Sequence, residues 1–218
     1  MKTSVIIPVK SFQKSKTRLH LSEEKTIELC RLLLREVIKT VSKSGLIDKT
    51  IVVSNEDKIS DIIEEYDCKR IPDVNEESVN DAVGLAESYL LENKFTHSIV
   101  LPLDVPFFYS EDIEKLLNFS EAKSVVIVPS RHFDGTNALL RTPIDSMKPR
   151  YDEGSYSFQI ESAKNFDVKI CVGLIYRLML DIDSVEDLEF VIKQNIKPEF
   201  CSKIRDCLLY TSPSPRDS

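Results

Sequence analysis

Segments with strand and helix patterns alternate along most of this 218-residue chain. Short apolar runs, typical of buried strands, precede longer segments in which apolar residues recur every three or four positions. Such alternation predicts an α/β fold, with a mostly parallel central sheet and helices on both faces. Strands are predicted over residues 5–9, 49–53, 68–71, 97–103, 124–128, 138–140 and 168–172, and a further strand or extended segment over 178–182.

The helices are predicted from their starts and from their apolar spacing. Ser22 and Ser184 each precede acidic residues, a pattern typical of a capped first turn, and Asn55 is predicted to cap another helix. The other helices are predicted over residues 79–91, 110–117 and 155–165.

One domain is expected, over residues 1–206, because no internal repeat or linker divides the alternating segments. The segment from Tyr210 onward is polar, contains two prolines and lacks periodicity. We therefore expect a non-native or disordered tail over residues 207–218.

The first predicted strand opens into a cationic loop, although the chain carries a formal net charge of -7. Four cations fall within nine residues, namely Lys10, Lys14, Lys16 and Arg18. The loop between the first strand and the first helix of a doubly wound sheet commonly binds phosphorylated ligands. An ordinary solvated loop is the alternative, but this position in the chain favours nucleotide binding.

Three carboxylates are predicted at strand ends. Asp104 follows an apolar run, and Asp181 and Asp183 project to the same side of an extended segment because they are two residues apart. Oxygen ligands of this kind suit Mg²⁺, which binds through a few carboxylates and substrate phosphates. Helix capping is the alternative, and it is strong for Asp183 alone because that residue precedes a predicted helix.

Two turns contain Gly135 and Gly154, two of the five glycines in the chain. The second turn continues into Ser155 and a helix, whose first backbone N–H groups can bind a phosphate. An ordinary helix start is the alternative. Asn80, at the start of another predicted helix, can hydrogen-bond a base or ribose, or can simply belong to the first helical turn.

Composition argues against several classes of protein. The acidic balance is unlike that of a nucleic-acid binder, and no apolar run approaches the roughly 20 residues of a membrane span. Without a signal peptide before the first strand, we expect a cytoplasmic protein. The five cysteines and three histidines are scattered, so no zinc-site pattern is present.

Four blocks, in order, resemble the 2-phospho-L-lactate guanylyltransferase family of coenzyme F-420 biosynthesis. The resemblance extends from about Met1 to the region of Cys201 and implies a single-domain nucleotidyltransferase fold, Rossmann-like and related to GT-A glycosyltransferases. The blocks are Ile7-Pro8-Val9-Lys10 with Lys16-Thr17-Arg18-Leu19, Leu101-Pro102-Leu103-Asp104-Val105-Pro106, Gly135-Thr136-Asn137-Ala138-Leu139, and Leu180-Asp181-Ile182-Asp183-Ser184 with Glu186-Asp187-Leu188.

This resemblance implies a reaction in which GTP is coupled to 2-phospho-L-lactate, phosphoenolpyruvate or 3-phosphoglycerate and pyrophosphate is released. Mg²⁺ is the implied cofactor, held by Asp104, Asp181 and Asp183. Lys16, Arg18 and Asp104 are the expected catalytic residues. A homodimer is also expected. The expected substrate-binding residues are Pro8, Val9, Lys10 and Asn80 on the nucleotide side, and Thr136, Asn137, Asp152, Gly154 and Ser155 on the acceptor side.

Two other functions stay open on the sequence. One is another nucleotidyltransferase of the same fold, of the cytidylyltransferase or molybdopterin guanylyltransferase type; the lack of a glycine-rich first loop counts against it. The other is a regulatory module that binds a nucleotide without catalysis, and the three carboxylates count against that function.

Overall fold

The computed structural model describes residues 1–75, 78–151 and 154–209. The helices in this part of the chain are α1 Glu23–Ser42, α2 Ser60–Glu65, α3 Val79–Glu92, α4 Ser110–Asn118, α5 Ser155–Lys164, α6 Val185–Gln194 and α7 Pro198–Leu209. The strands are β1 Thr3–Pro8, β2 Lys49–Val53, β3 Lys69–Ile71, β4 His97–Val100, β5 Ser124–Pro129, β6 Thr136–Thr142 and β7 Lys169–Val172.

Within the described residues, seven strands form one sheet in the order β3-β2-β1-β4-β6-β5-β7. β1 is parallel to β2 and β4, whereas β6 is antiparallel to β4 and β5. A short turn between β5 and β6 explains the reversal, because a tight turn can join only antiparallel neighbours. The predicted α/β fold with a mostly parallel sheet is confirmed.

The sheet separates two apolar cores because successive side chains of a strand point to opposite faces. Val5 and Ile7 pack on the face covered by α1, α2, α4, α6 and α7, and Ile6 packs on the face covered by α3 and α5. All three side chains are fully buried. Strands covered on both faces have to be apolar throughout, which is the pattern found in the sequence.

Serine side chains cap the N-termini of α1 and α6. The hydroxyl of Ser22 accepts a hydrogen bond from Lys25 N–H, and the hydroxyl of Ser184 accepts one from Asp187 N–H, as the sequence predicts. The predicted cap at Asn55 is wrong, because the side chain that accepts from the turn is that of Glu56. Glu56 can reach the N–H of Lys58, whereas Asn55 stands one residue too early.

Over residues 178–182 the sequence predicts a strand or an extended segment. No strand forms there: a 3₁₀ turn, Tyr176–Met179, leads into an extended segment, and Ile182 N–H donates to the Asp104 carbonyl at 3.0 Å. Helix α7 was not predicted. It extends to Leu209, so the first residues of the expected tail are helical, while residues 210–218 lie outside the described part of the chain.

No helix in the described ranges has the length and apolar character needed to cross a membrane.

Candidate active site

The order of the strands reverses between β1 and β4, and a cavity of about 530 Å³ opens at their carboxyl ends. Ligands of open α/β sheets bind in the crevice at such a reversal. Most of the residues predicted to bind substrate or metal line this cavity: Pro8, Lys10, Lys16, Arg18, Asp104, Thr136, Asn137, Ser155, Asp181 and Asp183.

Lys16 connects three of the loops around the cavity. Its Nζ lies 2.8 Å from Asp104 Oδ2 and 2.8 Å from Asp183 Oδ1, and its side chain is only 7% exposed. Its backbone is left-handed, with φ 55°, a conformation that costs energy for a residue with a Cβ. This conformation begins the 3₁₀ turn Thr17–Leu19, which leaves Lys16 between the two carboxylates.

Burial and charge oppose each other at this group of side chains. Burial alone would lower the pKa of Lys16, but Asp104 and Asp183 outweigh it and hold that pKa above its usual value. Burial raises the pKa of Asp104, with Lys16 opposing the shift and Asp183 adding to it. The ammonium group therefore provides the positive charge that keeps two close carboxylates together.

Asp181 completes the acidic side of the cavity. Asn137 Nδ2 donates to Asp181 Oδ1 at 3.3 Å, which connects β6 to the extended segment before α6. Burial, followed by the negative charge of Asp104, raises the pKa of Asp181 to about 6. Asp104, Asp181 and Asp183 all line this one cavity.

The chemistry of these donors suits a hard divalent cation, because all three offer oxygen ligands and their repulsion would be relieved by positive charge. Among residues 1–75, 78–151 and 154–209, however, no group of three His, Cys, Asp or Glu side chains is arranged as a metal cage. Lys16 explains this, since its ammonium already lies between Asp104 and Asp183.

The extended segment that carries Asp181 and Asp183 is held at both of its ends. Upstream, Arg177 donates to Asp112 at 2.6 Å and 2.8 Å. Downstream, Asp187 Oδ2 accepts from the N–H groups of Asp183 and Ser184 at 3.3 Å and 3.0 Å. The two aspartates of the cavity are thus fixed by ion pairing before them and by the α6 cap after them.

Hydroxyl groups also line the cavity. Ser155 Oγ donates to Thr136 Oγ1 at 3.1 Å, which joins the first residue of α5 to the first residue of β6. Gly154 directly precedes Ser155 and is the N-terminal cap of α5, with φ 75°. Glycine adopts this conformation without the strain that a Cβ would add. The turn therefore delivers a helix N-terminus and two hydroxyls to one place, which suits an anion.

Arg18 and Lys10, two other cations of the first loop, differ from Lys16 in their setting. The Arg18 side chain is 75% exposed, and its Nη2 lies 3.9 Å from Asp183 Oδ2. Lys10 is exposed at the rim. These cations are free to move toward a ligand, whereas Lys16 is already held. Of Lys14, the structure describes the backbone alone.

Three predicted substrate-binding residues in the described part of the chain do not line the cavity. Val9 is 1% exposed, and its side chain belongs to the larger apolar core. Asn80 lies in the first turn of α3 and bonds to Tyr151 N–H instead. Gly154 shapes the turn beside the cavity wall. Asp152 lies outside the described residues.

Sequence reasoning missed several apolar residues of the site. Val79, Val100 and Pro102 line the cavity, as does Tyr151. Nothing in their sequence pattern separates them from core residues, except that Pro102 and Tyr151 lie inside motifs that were already singled out. Apolar walls are identified by position in the fold, because the same residue types fill the core.

The sequence profile described as "Guanylyl transferase CofC like" matches residues 3–205 of the chain. A phosphoenolpyruvate guanylyltransferase from Conexibacter woesei is 30% identical, with 87% of this chain and 86% of that protein covered. A 2-phospho-L-lactate guanylyltransferase from Methanothermobacter thermautotrophicus is 28% identical, with 88% and 85% covered. A 3-phospho-D-glycerate guanylyltransferase from Colwellia psychrerythraea is 30% identical, with 88% and 91% covered.

Solved structures with the same fold are more distant in sequence. A protein from Desulfovibrio desulfuricans, assigned as a nucleotide-diphospho-sugar transferase, superposes with a TM-score of 0.71 at 16% identity, covering 95% of this chain and 99% of that one. A nucleotidyl transferase from Methanothermobacter thermautotrophicus superposes with a TM-score of 0.66 at 11% identity, covering 92% and 98%. At these identities the likeness shows the fold alone.

Proposed function

Because the chain belongs to the family of CofC-like guanylyl transferases, we propose that it couples GTP to a small phosphorylated three-carbon acid and releases pyrophosphate. The predicted family, fold and nucleotidyltransferase class are confirmed. The acceptor is 2-phospho-L-lactate, phosphoenolpyruvate or 3-phosphoglycerate, since relatives that act on each of these match over most of the chain. The expected place of the reaction is coenzyme F-420 biosynthesis.

One observation carries the proposal. The cavity at the strand reversal is lined both by Lys16 with three carboxylates and by the Thr136–Ser155 hydroxyl pair at the start of α5. A nucleoside triphosphate needs cations and a metal at its phosphates, and a phosphorylated acid needs hydroxyl and backbone donors. The cavity brings these two sets of groups into one shared space.

The proposed reaction is an in-line displacement at the α-phosphorus of GTP. An oxygen of the acceptor phosphate forms the new bond to that phosphorus, and the bond to the bridging oxygen of the β-phosphate breaks. Pyrophosphate leaves with the electron pair. The attacking phosphate oxygen is already ionised, so no general base is required, and catalysis consists of positioning and charge stabilisation.

The residues of the first loop stabilise the leaving group in this proposal. Two of the three N–H groups of Lys16 are directed to Asp104 and Asp183, and the third can donate to a phosphate oxygen. Arg18 is mobile enough to pair with the pyrophosphate, and Lys10 adds positive charge at the rim. These groups reduce the charge that accumulates on the bridging oxygen as its bond breaks.

On the acceptor side, Thr136, Asn137, Gly154 and Ser155 hold the phosphate and carboxylate of the acid. Asp104, Asp181 and Asp183 would hold Mg²⁺, which when bound neutralises phosphate charge. The protein is further proposed to act in the cytoplasm, as a homodimer, without binding nucleic acid or membranes.

The proposal is tested by pyrophosphate release from the purified protein with Mg²⁺, one nucleoside triphosphate at a time and each of the three acids. We expect release with GTP and one of the acids, with the guanylylated product identified by mass. Asp104→Asn should abolish turnover, because it removes a charge that both Lys16 and the proposed metal require.

The matched control is Asp61→Asn, which removes a carboxylate from exposed ion pairs on α2, far along the chain from the cavity. It should leave turnover unchanged. Release of pyrophosphate with CTP in place of GTP would support a cytidylyltransferase. No release with any pair, from protein that binds GTP, would support a regulatory nucleotide-binding module. Near-wild-type turnover of Asp104→Asn would exclude the assignment of Asp104.

A further inference from the structure

Asn80 makes a hydrogen bond that crosses the site without entering the cavity. Its Oδ1 accepts from Tyr151 N–H at 2.8 Å, between residues 71 positions apart in the chain. Asn80 lies in the first turn of α3, immediately after Val79, which lines the cavity wall. Tyr151 lines the same cavity and ends the segment that leads to Gly154 and Ser155.

Two hydrogen bonds hold the segment before Tyr151 to α5. Arg150 N–H donates to Gln159 Oε1 at 3.0 Å, and Ser162 Oγ donates to the Lys148 carbonyl at 2.6 Å. Both partners belong to α5, the helix that follows the turn. Met147 and Tyr151 also pack in the apolar core that contains residues of α3.

The bond from Asn80 adds a direct hydrogen bond between α3 and the end of this segment. Without it, the Tyr151 N–H would lose an acceptor at the partly buried edge of the cavity, and such a group has to find another partner or open to water. Opening would displace the turn in which Gly154 and Ser155 present their backbone and hydroxyl groups. The Oδ1 of Asn80 is therefore used to position the turn, and the side chain lies outside the cavity lining.

We propose that Asn80 is a positioning residue for the acceptor half of the site, which holds the turn before α5 so that the phosphorylated acid binds in register. It does not read the guanine base. This inference rests on the proposed function for the identity of the acceptor, but the hydrogen bond that carries it does not. Binding of the acid in this protein consequently depends on a residue of α3.

The test compares Asn80→Ala, which removes the acceptor oxygen, with Asn80→Asp, which keeps an oxygen at that position. For Asn80→Ala we expect the KM of the acid to rise about tenfold, the usual effect of one lost hydrogen bond, while the KM of GTP stays within about twofold. Asn80→Asp should restore the acid KM to near the wild-type value. Asn93→Ala is the matched control, since Asn93 bonds to the Tyr89 carbonyl at the other end of α3.

Hydrogen–deuterium exchange provides a readout that does not depend on activity. Peptides containing Tyr151 should exchange faster in Asn80→Ala and at the wild-type rate in Asn80→Asp and Asn93→Ala. Faster exchange in Asn80→Ala supports the positioning role of the hydrogen bond between Asn80 and Tyr151, even if the wild-type protein shows no turnover. A lack of turnover would reject the proposed function separately. Unchanged exchange in Asn80→Ala, or a raised GTP KM or altered base preference with the acid KM unchanged, would overturn the inference.

Discussion

At the residue scale, Lys16 is the clearest case of local strain that serves the site. A left-handed backbone is uncommon for a lysine, yet here it leaves the Nζ within 2.8 Å of two carboxylates from distant parts of the chain. Asp104 and Asp183 would repel each other without it. The same ammonium that pairs with both carboxylates is, in the proposed reaction, one of the cations that stabilise the leaving pyrophosphate.

Arg141 is a second charged residue whose partner determines whether it can be buried. Its guanidinium is fully buried in β6, where it pairs with Glu87 of α3 and donates to Ser98 Oγ at 3.2 Å and to the Met147 carbonyl at 3.3 Å. A buried charge is tolerated only when it is paired. Glu87 therefore connects α3 to β6 of the sheet.

We expect Glu87→Ala to lower the free energy of unfolding by about 3 kcal/mol, because the Arg141 charge would stay buried without its partner. Urea denaturation at pH 7 measures the change. Glu92→Ala, at an exposed position on the same helix, is the control and should change the free energy of unfolding by less than about 0.5 kcal/mol. An equal, small effect of the two substitutions would show that the pair contributes little.

At the scale of elements, the start of α4 positions the segment that carries two of the site's aspartates. Asp112 is almost fully buried, accepts two hydrogen bonds from Arg177 and one from Tyr109 N–H, and so ties α4 to the 3₁₀ turn Tyr176–Met179. Burial alone would raise the pKa of Asp112, but Arg177 and the Tyr109 N–H outweigh burial and hold this pKa below its usual value.

This pairing predicts a pH dependence of stability. A carboxylate whose pKa is lowered by folding contributes stability above its unfolded pKa of about 3.9, and the contribution is lost as the pH falls through the folded pKa. Asp112→Asn should therefore be less stable than the wild type by about 2 kcal/mol at pH 7 and pH 5. The difference should shrink below about pH 4.

Urea denaturation of the wild type and Asp112→Asn at pH 7, 5 and 3.5 measures this difference. The control is Asp57→Asn, whose carboxylate is 95% exposed in its ion pair with Arg70 and should show almost no difference at any of these values. A gap for Asp112→Asn that is constant from pH 7 to pH 3.5 would contradict the predicted loss of the ion pair.

At the scale of the whole molecule, Lys197 joins the start of α7 to α1 and to the loop between β4 and α4. Its Nζ donates to Glu36 Oε1 on α1 at 2.8 Å, to Thr40 Oγ1 at 2.9 Å and to the Pro106 carbonyl at 2.8 Å. Lys197 directly precedes α7, and Phe200 of α7 packs edge-to-face on Phe107. A buried lysine with three acceptors thus fastens the last helix to the first helix and to the loop that leads from β4 to α4.

Lys197→Met should lower the free energy of unfolding by about 2 kcal/mol, because Glu36 and the Pro106 carbonyl would lose a donor where water has little access. We expect one cooperative transition, since both cores share the same sheet. Circular dichroism and tyrosine fluorescence followed together in urea measure both effects. Lys203→Met, exposed on α7, is the control; separate transitions for the two probes would show that α7 unfolds independently.

The sequence by itself determined the elements and the chemical character of the site. Strands buried on both faces must be apolar throughout, so β1, β4 and β5 were predicted from their apolar runs. The cations after β1 and the aspartates after β4 and before α6 could be assigned to one sheet edge, because parallel strands end together. Helix α7 was not predicted, although Phe200, Cys201 and Ile204 have helical spacing and a proline such as Pro198 is compatible with a first helical turn.

Only the tertiary structure decided how those residues are paired. Lys16 and Asp183 are separated by 167 positions, and Asn80 and Tyr151 by 71, so no local pattern relates them. Hydrogen bonds and ion pairs form only when their atoms are placed to within a few tenths of an ångström. Packing sets these positions, and sequence spacing does not. The sequence therefore identified the groups that we propose for phosphate and metal binding, whereas the fold decided that a lysine lies between two of the carboxylates and that an asparagine accepts from the Tyr151 N–H.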